Sequence, residues 1–223
     1  MPIKFISIVV TCIFLSWVVP KHIGAAAERA NVLHGALPSP AGKTVSAIMS
    51  MPPDTWLDLG RPRPDPAFGL ARGRAWSSKM AFSRALGGAF LFGEGEHGWS
   101  DPANGRYMDG LWFYDVNGHR WVNLYAGTNT RSPPELVITG DGFEGISPIR
   151  PLPVATMVHG YEMIAWDPGR QIFFSMPNYH GYYKKALPTV ADFRRRNATR
   201  LNRNAASPWM FDPWNRLWHR LKT

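Results

Sequence analysis

The chain has 223 residues, 45% of them apolar and 13% aromatic, so it can bury a sizeable core and is not disordered as a whole. Glycine (21) and proline (20) are abundant beside 18% charged residues, which suits many short strands joined by tight turns better than long helices. The formal net charge is +9, and the lone cysteine, Cys12, excludes a disulfide framework.

At the amino terminus, Lys4 precedes an uncharged apolar run from Phe5 to Val19, which Pro20-Lys21 breaks before the small residues of GAAAER. Charge, apolar run and small-residue exit in that order predict a signal peptide over residues 1–27, cleaved near Ala27, and hence a secreted or periplasmic chain. The alternative is an uncleaved anchor, for which the run falls short of the usual spanning length of about 20 residues. Cleavage removes Cys12, and with it any thiolate metal site or cysteine nucleophile. Residues 28–44 read as a linker.

Beyond it, an aromatic-Asp pair recurs at a fixed distance from a second aromatic. Tyr114-Asp115 precedes Trp121 and Leu124, Trp166-Asp167 precedes Phe173 and Met176, and Phe211-Asp212 precedes Trp218 and Leu221. A worn copy, Met49-Ser50 with Trp56 and Leu59, comes before all three. In the first full copy Asn117-Gly118 predicts a hairpin with a type I′ turn. The slot holds Asp167-Pro168-Gly169 in the next copy and Asp212-Pro213-Trp214-Asn215 in the last, so three turn chemistries serve one strand spacing. Another hairpin is expected in MAFSRALGGAFLFGEG, where Ala81-Phe82 and Phe90 to Phe92 flank a turn ending in Gly87-Gly88. The strands alternate poorly: Leu111 to Tyr114 and Ile172 to Phe174 are unbroken apolar or aromatic runs, which predicts sheets covered on both faces. The blade of a β-propeller is such a sheet.

The preferred phasing pairs residues 80–95 with 110–125. It gives an outer hairpin at 45–59, one blade at 76–125 and a second at 157–221. The fold class expected is therefore all-β, an incomplete propeller over 45–223 with loop insertions. Two or three blades leave aromatic faces open to water, so the chain is expected to be the front part of a longer product or to close its ring by self-association.

The glycine-bounded strand in GGAFLFGEG, followed by a polar loop and the aromatic-Asp and Trp of DGLWFYDVNGHRWVNL, resembles the kelch repeat of galactose oxidase-like β-propellers, with the diglycine Gly87-Gly88 ahead of its strand rather than after it. The resemblance implies an exported scaffold that binds a carbohydrate or a protein. The alternative it implies is the amino-terminal part of a secreted sugar-modifying enzyme, oxidase- or mutarotase-like, whose catalytic residues lie outside this chain. Copper oxidases of that family use tyrosines, histidines and a tyrosine cross-linked to cysteine. Tyr179-His180 matches only superficially and no mature cysteine is present, so no catalytic residue, metal or cofactor is expected.

Candidate ligand contacts lie in two loop groups. Glu94, Glu96, His97 and Trp99 share a glycine-rich loop with Asp101, able to hydrogen-bond a sugar while Trp99 stacks on it. His159, Tyr179 and His180 belong to a His-Gly-Tyr tripeptide repeated at 159–161 and 180–182. Lys184, Lys185, Arg194, Arg195 and Arg196 form a basic stretch suited to an anionic surface. Export argues against nucleic acid as its partner. Thr189 to Asp192 reads as a capping box that starts one short helix in this stretch.

Overall fold

The computed structural model describes residues 37–72, 79–92, 100–102, 105–133, 135–140, 142, 144–146, 150–151, 163–176, 184–185, 187–201 and 208–221. Antiparallel sheets dominate, and the protein is all-β with two short helices among the described residues. Strands β1 (Ala81–Ser83), β2 (Gly88–Leu91), β5 (Leu111–Asp115) and β6 (Arg120–Tyr125) form a four-stranded meander in that order. Between β2 and β5, β3 (Ser100–Asp101) and β4 (Arg106–Tyr107) make a small hairpin. Next come β7 (Leu136–Ile138), β8 (Glu144–Ile146) and β9 (Arg150–Pro151) as a three-stranded sheet. The second four-stranded meander orders β10 (Ile164–Asp167), β11 (Ile172–Ser175), β12 (Trp209–Asp212) and β13 (Leu217–Arg220). Pairing of β2 with β5 sets Gly88 opposite Asp115 and Leu91 opposite Trp112.

One turn geometry, not three, closes the long hairpins. Each has a four-residue loop whose last residue has positive φ: Gly87 (65°), His119 (45°), Gln171 (55°) and Arg216 (52°). The residue before each loop accepts backbone N–H groups across it. Asp115 Oδ1 accepts from Gly118 (3.1 Å), Asp167 Oδ1 from Gly169 and Arg170 (2.8 and 3.0 Å), and Asp212 Oδ1 from Trp214 and Asn215 (2.9 and 3.2 Å). Ser83 Oγ does the same for Leu86 at 3.3 Å. The recurring aspartate is thus the turn-former, which explains why the residues after it are free to vary. It also corrects the expected type I′ turn at Asn117-Gly118, since the left-handed residue is His119.

Asp167 is half-buried, and its backbone bond from Arg170, reinforced by the Arg170 guanidinium at 2.9 Å, holds its pKa below the usual carboxylate value. A depressed folded pKa contributes stability that is present above the unfolded value near 3.9 and is lost as pH falls through the folded one. Asp167→Ala is expected to cost about 1 kcal/mol at pH 7. The difference from wild type should vanish on acidification in urea titrations; a pH-independent difference would refute the charge as its cause.

The two four-stranded sheets stack through aromatic rows. On the first sheet, Ala81, Phe90, Phe113 and Val122 lie opposite one another across the strands on one face, and Phe82, Ala89, Tyr114 and Trp121 on the other. Counted from the hairpin loops, the equivalent rows of the second sheet are Ala165, Phe174, Met210 and His219, and Trp166, Phe173, Phe211 and Trp218. The Phe90 row packs against the Trp166 row: Phe90 stacks on Trp166 at 4.9 Å and meets Phe173 at 5.2 Å, and Phe92 meets Trp218 at 5.3 Å. The face used by one sheet is therefore the opposite of the face used by the other, a head-to-tail arrangement. Among the described residues the sheets stack as this pair and close no ring.

Several expectations are corrected. The proposed hairpin at 45–59 is instead helix α1 (Lys43–Met49) followed by an irregular segment in which Trp56 is wholly exposed. Pro52 and Pro53 remove two backbone donors there, and the worn copy lacks the aspartate that closes the other loops. Helix α2 (Pro188–Arg196) forms in the basic stretch, but Leu187 occupies the N-cap without a side-chain bond, and Asp192 pairs with Arg195 at 2.9 Å instead of capping. Arg194 is buried, so it does not share the exposed surface of Lys184, Lys185, Arg195 and Arg196. Finally, the first sheet is covered on both faces at β2 and most of β5, whereas β11 to β13 alternate. In the second sheet Phe174 and Met210 are part-buried while Ala165 and His219 are exposed.

Candidate functional site

Glu94, Glu96, His97, Trp99, His159, Tyr179 and His180 lie outside the described residues. Among the described residues, a concavity lies elsewhere, at the tip of the β5–β6 hairpin beside the segment 37–44. Its volume is about 640 Å³, and its polar lining includes Ser39, Lys43, Thr44, Arg63, Asn117 and Arg120.

The floor is organised by Asp115, which the hairpin loop requires and which is wholly buried. Its Oδ2 accepts from Arg120 Nε at 2.8 Å and from Ser39 Oγ, while Arg120 Nη2 donates to Ser39 Oγ at 3.0 Å. Asn117 Nδ2 donates to the Ser39 carbonyl at 2.8 Å. These bonds fasten the strap 37–44 over the hairpin and seat Leu37 in the core. Gly118 is needed for close approach: a Cβ there would lie 2.5 Å from Asp115 Oδ2 and 3.1 Å from Ser39 Oγ.

Arg63 enters from another part of the chain. Its N–H donates to the His119 carbonyl at 2.9 Å, its own carbonyl accepts from Trp121 N–H at 2.9 Å, and its Nη2 donates to the Gly118 carbonyl at 3.0 Å. Segment 63–65 thereby lies along the outer strand β6, where Asp65 Oδ2 also accepts from Asn123 N–H at 2.9 Å. The edge N–H groups that would template further pairing are partly satisfied in this way.

Electrostatically the concavity is cationic. Lys43, Arg63 and Arg120 line it, none of the described lining residues is acidic, and the buried carboxylate of Asp115 faces Arg120 from below. Beside it, Tyr114 Oη is 2.7 Å from His119 Nδ1, and burial followed by the Asp115 charge pushes the Tyr114 phenol above its usual range. At the opposite end of the sheet, buried Asp109 accepts from Thr128 N–H and Thr128 Oγ1, both at 2.6 Å, an internal clamp rather than an accessible group. Among the described residues, no group of three or more His, Cys, Asp or Glu is placed to hold a metal ion.

The sequence reading missed this site because its cations are far apart in the chain and each looks unremarkable alone. Asn117-Gly118 is the one local signal, and it reads as a turn rather than as a wall of a pocket. No family model, curated protein or solved structure matches the chain.

Proposed function

We propose that this chain is an exported binding module on a kelch-type propeller scaffold, recognising a carbohydrate or a protein through its loops and hairpin ends. The head-to-tail stacking of the two meanders carries this reading. A propeller repeats one sheet around an axis, so each sheet must offer opposite faces to its two neighbours. The Phe90 and Trp166 rows meet in that relation. The scaffold is specified by many aromatic residues that pack the two sheets together.

The two outer rows support self-association. Phe82 is 61% exposed on one outer face, and Ala165 and His219 are exposed on the other. These rows are equivalent to the pair already packed inside the chain, so another copy can stack on the outer row of the second sheet and at the β1 edge around Phe82, the rest of the first sheet's outer face being covered at Ala89, Leu91 and Trp112. Propellers typically have four to eight blades, and so a closed ring would take about two to four copies. Light scattering is expected to find such an assembly, and a monodisperse monomer would remove the ring from the proposal. Binding itself is tested on a glycan array and by affinity capture with the exported chain. Absence of any ligand in both would sink the module reading, while sequencing that returned an intact Met1 would replace export with anchoring.

A further inference from the structure

Building on the module reading, we infer that the concavity beside strap 37–44 binds the oxyanion of a sugar-sized ligand, a carboxylate or a phosphate or sulfate ester on a saccharide. Three observations carry the inference. First, Lys43, Arg63 and Arg120 converge on a concavity with no acid among its described lining residues, and Asp115 offsets only one of the three charges. Second, both guanidiniums are held before any ligand arrives: Arg120 by Asp115 and Ser39, and Arg63 by the Gly118 carbonyl. Planar guanidinium groups so fixed lose little freedom on meeting an oxyanion, and their bonds to it are charge-assisted. Third, a volume of about 640 Å³ is far larger than one inorganic anion needs and falls in the range of small-ligand sites. The hydroxyls of Ser39 and Thr44 and the amide of Asn117 supply further polar groups on the same wall, the chemistry that sugar hydroxyls use.

Arg120 is a poor probe because removing it would strand the buried Asp115. Lys43 and Arg63 have exposed side chains and are suitable. The test is isothermal titration of the full chain with glucuronate, glucose 6-phosphate, glucose 6-sulfate, glucose and inorganic phosphate, at about 0.02 M and about 0.3 M salt, where screening lengths differ severalfold. At least one charged sugar is expected to bind, more weakly at high salt, with glucose much weaker. Which charged sugar binds tightest distinguishes carboxylate from ester as the natural group. Lys43→Gln and Arg63→Gln should each weaken it about tenfold, with melting curves unchanged, while Lys184→Gln outside the concavity should not. If Arg63→Gln perturbs folding, Lys43→Gln carries the comparison alone. The inference is overturned if no charged sugar binds, if glucose or inorganic phosphate binds as tightly, or if Lys43→Gln leaves the affinity unchanged. Array binding that persists in Lys43→Gln would retain the module reading and discard this site; no binding anywhere would discard both.

Discussion

Asp115→Ala is expected to lower the unfolding free energy by about 3 kcal/mol, and Asp212→Ala, at the equivalent place in the second sheet, by only about 1. Both aspartates end a strand and bond the loop that follows. Their surroundings decide the difference. Asp212 is half-buried, its other oxygen accepts from the Asn215 side chain at 2.6 Å, and the loss of these bonds can be made good by water. Asp115 is wholly buried and accepts simultaneously from Gly118, Arg120 and Ser39. Without it the Arg120 guanidinium loses its counter-charge, and the strap loses the acceptor that anchors Ser39. Removing one member of a shielded ion pair costs more than the pair is worth, because the partner remains desolvated. Urea denaturation of the two variants reads the contrast directly, and equal costs would mean that the strap contributes nothing to the fold.

The same comparison shows why the sequence spoke clearly about the hairpins and not about the site. Aromatic-Asp at a fixed distance from a second aromatic is a local pattern, because strand, loop and strand lie within a dozen residues and each obeys its own turn chemistry. It located three long hairpins, and the glycine-bounded run located the fourth. Where the aspartate is missing, at Met49-Ser50, the pattern misled, and a helix stands in place of a strand. The apolar run Leu111 to Tyr114 likewise pointed to the burial of most of β5 on both faces, but the run Ile172 to Phe174 did not show that β11 alternates with its outer face only half-covered, since that depends on what else packs there. The concavity was beyond reach for a related reason. Arg63 reaches the hairpin because segment 63–65 lies along β6, and Lys43 because Ser39 is tied to Asp115; neither docking leaves a periodic trace in the chain.

The largest single effect is expected at Phe90. It is completely buried, lies edge-on to Phe113 at 5.0 Å within its own sheet, and meets Trp166 and Phe173 of the second sheet at 4.9 and 5.2 Å. Phe90→Ala removes the ring that joins both sheets and leaves a cavity walled by aromatic groups that cannot collapse onto a methyl, for a cost of about 4 kcal/mol. Because the lost contacts lie between sheets as well as within one, cooperativity should fall along with stability, and the transition followed by tryptophan fluorescence should separate from that followed by circular dichroism. Phe82→Ala is the matching control. Its ring points to the opposite face of the same sheet and is 61% exposed, so the unfolding free energy should change by less than about 0.5 kcal/mol. If the outer faces stack on other copies, that variant should instead weaken association, which light scattering at graded concentrations detects. A Phe82→Ala chain as unstable as Phe90→Ala would mean that the exposed face is packed within the monomer. A Phe90→Ala chain as stable as wild type would mean that the two sheets do not share one core, and the head-to-tail argument would fall with it.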